Sequence, residues 1–185
     1  MVRFLRYIII LFSLSFLFSV KSINIITTND IHGFIDEQRA NFINPNYPPL
    51  IIGASGYYEY VKNIDDPTLI LDGGNFFQGH PVGIIDSGRT MIDWMNKVGY
   101  DALVPGNNDF LFEINNLIEL SKAANFNFLA ANLYDKNFDK LLFKPYEIFV
   151  FGESKIAVLG LVNPNLEELV LSENIKEVFL EEPIV

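Results

Sequence analysis

The stretch Thr28-Asn29-Asp30-Ile31-His32-Gly33 decides how this sequence is interpreted. It follows the apolar run 23–27, which predicts a buried β-strand. Asp30 and His32 are two residues apart, so an extended backbone would point both side chains to the same side. A carboxylate and an imidazole on one side can bind a divalent metal, although an Asp-x-His pattern alone is equally typical of a solvated turn.

Two further polar turns follow apolar runs in the same way. Leu71-Asp72-Gly73-Gly74-Asn75 ends the run 68–71, and Gly106-Asn107-Asn108-Asp109-Phe110 follows the run 102–104. Either turn alone is weak evidence, because Gly-Gly and Gly-Asn turns are common. Three such turns in one chain, each at a predicted strand end, are much more specific.

The spacing of apolar residues predicts helices between these strands. Strands that alternate with helices indicate an α/β fold with mainly parallel strands. In such sheets the ligand site lies beyond the carboxyl ends of the strands, where we expect Asp30, His32, Asn75 and Asn107. The predicted helices are 53–64, 87–98 and 111–124; a fourth strand is predicted at 126–131, and a hairpin joins 146–151 to 155–161.

Composition excludes several classes of function. The chain has 185 residues, is 50% hydrophobic and carries a net charge of −10, which argues for a folded domain and against nucleic acid as a partner. It contains no cysteine, so disulfides, thiol chemistry and cysteine-ligated zinc are excluded.

Residues 1–22 have the pattern of a secretory signal peptide. Arg3 and Arg6 precede an apolar run from Ile8 to Val20, and small residues follow it. We therefore expect an exported protein that is periplasmic, at the cell surface or extracellular. The leader is either cleaved or retained as an N-terminal anchor, and a membrane is a partner only if it is retained.

Residues 23–185 resemble the N-terminal part of the calcineurin-like metallophosphoesterase domain of secreted 5′-nucleotidases and 2′,3′-cyclic-nucleotide phosphodiesterases. That family typically carries T-N-D-x-H-G, D-x-G-D-x-x-x-G and G-N-H-[DE]-F-D, which correspond here to 28–33, 72–79 and 106–111. The resemblance implies part of an α/β/β/α sandwich whose second half is missing. It also implies a nucleotide or another phosphoester as substrate.

The resemblance further implies two divalent metal ions (Zn, Mn, Co or Mg) that activate a hydroxide for attack on the phosphorus. Asp30 and His32 would bind the first metal and Asn107 the second. Position 75 would bridge both metals as an aspartate, and position 108 would be a catalytic histidine oriented by an aspartate at position 111.

This chain departs from that pattern at three of those positions, with Asn75, Asn108 and Leu111. An amide has one ligating oxygen and no proton to give near neutral pH, so we expect a weakened metal cluster and no general acid at position 108. The chain has only two histidines, His32 and His80, and we expect His80 to be an ordinary exposed loop residue.

Three functions remain open at this point. The first is a degenerate or truncated nucleotidase-type hydrolase of nucleotide catabolism, weakly active or inactive alone. The second is the active half of a split nucleotidase that joins a separately encoded second half. The third is a non-catalytic exported protein that binds a metal or a nucleotide.

Overall fold

A computed structural model describes residues 22–182. The predicted signal peptide lies outside the described residues except for Ser22, so its cleavage stays a prediction. Within residues 22–182, no helix is both long and apolar enough to cross a membrane.

Eleven strands are present among the described residues, and four of them form the central sheet. They are β1 Asn24–Thr28, β2 Gln38–Arg39, β3 Leu50–Ile51, β4 Thr68–Asp72, β5 Ala102–Leu103, β6 Asn127–Phe128, β7 Leu133–Asp135, β8 Lys140–Leu141, β9 Tyr146–Phe151, β10 Ser154–Leu159 and β11 Val178–Leu180. The central sheet has the order β1-β4-β5-β6 with all neighbouring strands parallel, as the α/β prediction required.

The helices connect these parallel strands. They are α1 Ala54–Lys62, α2 Pro81–Ile84, α3 Arg89–Val98, α4 Glu113–Ala123 and α5 Leu166–Leu169, with 3₁₀ turns at Asn107–Phe110 and Ser172–Ile175. Helix α3 ends at Gly99, which has φ of +92° and stops the helix as predicted. Helix α1 begins after Gly53 with no side-chain cap, so the expectation that Ser55 opens it was wrong.

The third predicted helix, 111–124, is divided in the structure. Residues Asn107–Phe110 form a 3₁₀ turn, and α4 begins only at Glu113, which has φ of +67°. The buried face of α4 holds Ile114, Leu117 and Leu120, whereas Ser121, which was expected inside, is only half-buried. A hydroxyl tolerates partial exposure better than a leucine does, and this sets the rotation of the helix.

The core lies between the helices and one face of the parallel sheet. Its largest fully buried side chains include Phe76, Phe77, Phe110, Met91 and Met95. Phe76 and Phe77 follow the polar turn after β4, and Phe110 follows the turn after β5. Each polar turn is therefore fixed from behind by aromatic side chains in the core.

Three smaller sheets surround the central one. The β9–β10 hairpin was predicted and is present, with Phe151 paired to Ser154 across the turn. The three-stranded sheet β11-β7-β8 and the two-residue ribbon β2–β3 were not predicted. Strands of two or three residues are too short for alternation of apolar and polar residues to reveal them.

Candidate active site

The carboxyl ends of β1, β4 and β5 lie side by side and bring the three polar turns together. The backbone N–H of Asp30 donates to the carbonyl of Gly74 at 3.0 Å, and that of His32 donates to the carbonyl of Asn75 at 2.8 Å. The first two turns are thus joined along their backbones. The structure places Asp30, His32 and Asn75 at one edge of the sheet, where the sequence predicted them.

Asp30 and His32 reach this edge by a different route from the one expected. Strand β1 ends at Thr28, and Asp30 and His32 have φ of +54° and +51°. The expectation of a continuing extended strand was therefore wrong, because the left-handed backbone turns the chain after β1. The two side chains still meet, with His32 Nε2 at 3.7 Å from Asp30 Oδ1. Asn75 also has a positive φ, +57°, and such strained non-glycine residues are concentrated at functional sites.

Hydrogen bonding orients the His32 ring. Its Nδ1 lies 2.6 Å from the carbonyl oxygen of Gln78, and a carbonyl can only accept, so Nδ1 carries the proton. A neutral imidazole in this tautomer leaves a lone pair on Nε2, the nitrogen that faces Asp30. This is the arrangement of a histidine prepared to bind a cation.

The Asn75 side chain lies between two of the turns. Its Nδ2 donates to Asp30 Oδ1 at 2.7 Å, and its Oδ1 accepts from the backbone N–H of Asn108 at 2.9 Å. Both ends of the carboxamide are therefore used inside the site. The amide nitrogen occupies the side of Asp30 that a bridging carboxylate would leave free for a metal.

Asn107 and Asn108 lie in the 3₁₀ turn after β5. Asn107 Nδ2 donates to Asn108 Oδ1 at 3.1 Å, and both residues are half-buried. Together with Gln78 and Leu111 they line a cavity of ≈ 120 Å³. The lining is formed by neutral amides and leucines, so nothing in it can serve as a proton donor of ordinary strength.

Asp109 is a site residue that the sequence analysis missed. It is completely buried, and its carboxylate accepts from the backbone N–H groups of Asn75 at 2.7 Å, Phe76 at 2.9 Å and Gly106 at 2.9 Å. Burial raises the pKa of Asp109 to about 7, against the opposing effect of these hydrogen bonds. Its signal in the sequence was a carboxylate between a polar turn and the buried Phe110.

Asp72 supports the site from below. It is 4% exposed and accepts from Thr28 Oγ1 at 2.5 Å and from the backbone N–H of Gly74 at 2.8 Å. Thr28 Oγ1 also lies 2.9 Å from the Tyr100 hydroxyl. Burial raises the pKa of Asp72 to about 6. Asp72 is therefore a structural carboxylate that holds the turn after β4.

His80 has a structural role. Its Nδ1 accepts from the backbone N–H of Val82 at 3.4 Å, and its ring packs on Phe34 with ring centroids 4.7 Å apart. The side chain is 26% exposed, so the expectation of an ordinary exposed loop histidine was wrong. Capping of α2 explains its partial burial.

The residues present do not fit a two-metal cluster. Among residues 22–182, no group of three or more histidine, cysteine, aspartate or glutamate side chains could hold a metal ion. Asp30 and His32 supply only one carboxylate and one imidazole, and Asn75 directs an N–H donor toward that carboxylate. A donor in this position opposes cation binding at Asp30 Oδ1.

Comparison with known proteins agrees with the geometry. The chain is 36% identical over 118 residues to a 5′-nucleotidase of Vibrio parahaemolyticus, covering 64% of this chain and 21% of that protein. It is 32% identical over 152 residues to the protein UshA of Salmonella pullorum, covering 80% and 26%. The chain resembles the N-terminal part of the calcineurin-like 5′-nucleotidases. No model of a known protein family matches the sequence.

Solved structures extend this resemblance to the fold. A 5′-nucleotidase from Staphylococcus aureus matches 86% of this chain and 32% of its own, with a TM-score of 0.71 and 23% identity. The calcineurin-like phosphoesterase YfkN of Bacillus subtilis matches 85% and 53%, with a TM-score of 0.64 and 23% identity. The fold is therefore calcineurin-like. This nucleotidase-like chain spans about a fifth to a quarter of the length of the curated relatives that it matches.

Proposed function

We propose that the chain is part of an exported 5′-nucleotidase-type phosphoester hydrolase of nucleotide catabolism, with little or no turnover by itself. The relatives named 5′-nucleotidases and the meeting of three polar turns at one sheet edge support the reaction class. The hydrogen bond from Asn75 Nδ2 to Asp30 Oδ1 supports the low turnover and carries the proposal.

Two substitutions account for the low turnover. At position 75 a carboxamide replaces the carboxylate that the resemblance implies, so one negative charge and one ligating oxygen are missing. At position 108 an amide replaces a histidine and cannot transfer a proton near neutral pH. General acid catalysis typically contributes about 10²–10⁴-fold, so loss of the histidine alone would remove most of the rate.

A covering polypeptide is part of this proposal. The β9–β10 hairpin exposes Ile148, Val150 and Leu159 at 47%, 61% and 59%, and Ile25 on β1 is 57% exposed. A cavity of ≈ 300 Å³ between the central sheet and β10 is lined mainly by apolar residues. A segment equivalent to the rest of the longer relatives, in the same or a separate chain, would bury these surfaces. This supports the split-enzyme alternative.

Non-catalytic binding of a nucleotide is the second candidate. The cavity beside Asn107, Asn108 and Leu111 favours it, because amides and leucines can hold a ligand without reacting with it. Calorimetric titration of the full chain with AMP tests this alternative. Binding without hydrolysis would support it, and no heat of binding would remove it.

A hydrolysis assay tests the main proposal. The full chain is assayed with AMP and bis(p-nitrophenyl) phosphate in Mn²⁺, Zn²⁺ or Co²⁺, with and without the remaining part of the Vibrio relative supplied in trans. We expect background rates from the unmodified chain and measurable turnover from the Asn75→Asp/Asn108→His double variant when the second part is present. The Asn41→Asp variant, at an exposed asparagine, is the control for added charge. Metal-dependent hydrolysis by the unmodified chain alone would overturn the low-turnover proposal, and no hydrolysis by the complemented double variant would overturn the reaction class.

A further inference from the structure

The Asn75 carboxamide joins two turns that otherwise have separate positions in the sequence. Its nitrogen donates to Asp30 in the turn after β1, and its oxygen accepts from Asn108 in the turn after β5. Asn75 itself belongs to the turn after β4. One neutral side chain therefore contacts both neighbouring turns.

We propose that Asn75 is a positioning residue that fastens the three turns in the absence of any metal ion. In this site the amide performs the structural task of a bridging metal, and the native arrangement of the turns is independent of metal. The inference goes beyond the proposed function, because it concerns the order and stability of the site rather than turnover.

Hydrogen-bond chemistry distinguishes asparagine from aspartate at this position. The carbonyl end of Asn75 accepts from Asn108, and a carboxylate would accept there equally well. The amide end donates to Asp30, and a carboxylate has no proton to donate. Aspartate at position 75 would therefore place a second negative charge against Asp30, and a cation would be needed to hold the two together.

The space around Asn75 is shaped for this side chain. A Cβ atom on Gly106 would lie 2.3 Å from Asn75 Oδ1, so only glycine leaves room for the carboxamide. The backbone of Asn75 has φ of +57°, which asparagine adopts more readily than most residues. Its backbone N–H is fixed by the buried Asp109. The side chain is therefore held in place at its root and at both ends.

Polar neighbours leave Asp30 with other partners as well. Asn29 Nδ2 donates to Asp30 Oδ2, and His32 Nε2 lies 3.7 Å from Oδ1. Both carboxylate oxygens of Asp30 thus have amide donors. A half-exposed carboxylate satisfied in this way needs no cation to offset its charge.

Thermal unfolding of the full chain tests the inference. For the unmodified chain we expect the same Tm in excess EDTA and in Mn²⁺ or Zn²⁺. For Asn75→Asp we expect a Tm roughly 4–8 °C lower in EDTA, with most of the loss recovered on adding metal. Asn41→Asp, the same change at an exposed residue, should behave as the unmodified chain. A Tm of the unmodified chain that rises with metal, or an Asn75→Asp variant as stable in EDTA as the unmodified chain, would overturn the inference.

A second measurement keeps the test decisive if Asn75→Asp does not fold. In ¹H–¹⁵N spectra of the unmodified chain in EDTA, the Asn75 side-chain amide protons should exchange more slowly with solvent than those of exposed Asn41. Equal exchange rates would overturn the inference. Neither result depends on hydrolysis, so failure of the proposed function would leave this test unaffected.

Discussion

Oδ2 of Asp109 accepts a hydrogen bond of 2.7 Å from the backbone N–H of Asn75, and the same oxygen accepts one of 2.9 Å from the backbone N–H of Gly106. The carboxylate therefore ties the turn after β4 to the turn after β5. Because Asp109 is completely buried, water cannot replace it as the acceptor.

Replacing Asp109 tests this connection. The Asp109→Asn variant keeps the shape but directs an N–H group at a backbone N–H, and at least one buried donor then loses its acceptor. We expect the free energy of unfolding to fall by about 2–4 kcal/mol. Urea denaturation measures the change, with Asp65→Asn, at an exposed aspartate, as the matched control. Equal stability of the two variants would contradict the role assigned to Asp109.

The close approach of the two turns predicts that Gly106 cannot be enlarged. A Cβ atom there would lie 2.3 Å from Asn75 Oδ1 and 2.7 Å from the Asn75 backbone nitrogen. We expect Gly106→Ala to lower the free energy of unfolding by about 1–3 kcal/mol. In Gly56→Ala the new Cβ meets only the side chain of Ile52, in an exposed part of α1, so this control should be neutral or stabilising. Chemical denaturation of both variants provides the comparison.

The raised pKa of Asp72 predicts a dependence of stability on pH. Burial raises the pKa from 3.8 to about 6, so the native state keeps this proton to higher pH than the unfolded chain. The resulting contribution to the free energy of unfolding is fully present below pH 3.8 and is lost as the pH rises through about 6. We expect Asp72→Asn, which does not titrate, to gain stability relative to the unmodified chain between these values. Urea midpoints measured across this range test it, and a constant difference between the two proteins would contradict it.

Two tyrosines on the same side of the core should respond differently to loss of their hydroxyl groups. The Tyr57 hydroxyl is buried and has no hydrogen-bond partner among the described residues, whereas the Tyr100 hydroxyl lies 2.9 Å from Thr28 Oγ1. We expect Tyr57→Phe to be neutral or stabilising and Tyr100→Phe to cost about 1 kcal/mol. Thermal denaturation of the pair serves as its own control, and a larger cost for Tyr57→Phe would show that this hydroxyl has a partner after all.

The sequence predicted the position of the site well and its internal geometry poorly. Apolar runs followed by glycine-bounded turns were sufficient to place Asp30, Asn75 and Asn107 at one sheet edge, because the carboxyl ends of parallel strands meet there. The left-handed backbone at Asp30 and His32 was not predictable, since neither residue is a glycine and local pattern favoured an extended chain. The central role of Asp109 also escaped notice, because burial of a carboxylate depends on which segments surround it.

The sequence by itself determined the parallel α/β sheet, the three polar turns and the residue types that depart from the nucleotidase pattern. These follow from local periodicity and from residue identity, which need no knowledge of distant contacts. Only the tertiary structure decided that Asn75 turns its amide toward Asp30 and that Asp109 joins two turns 33 and 34 residues apart in the chain. The reason is physical: a hydrogen bond depends on distance and direction between atoms, and folding sets both.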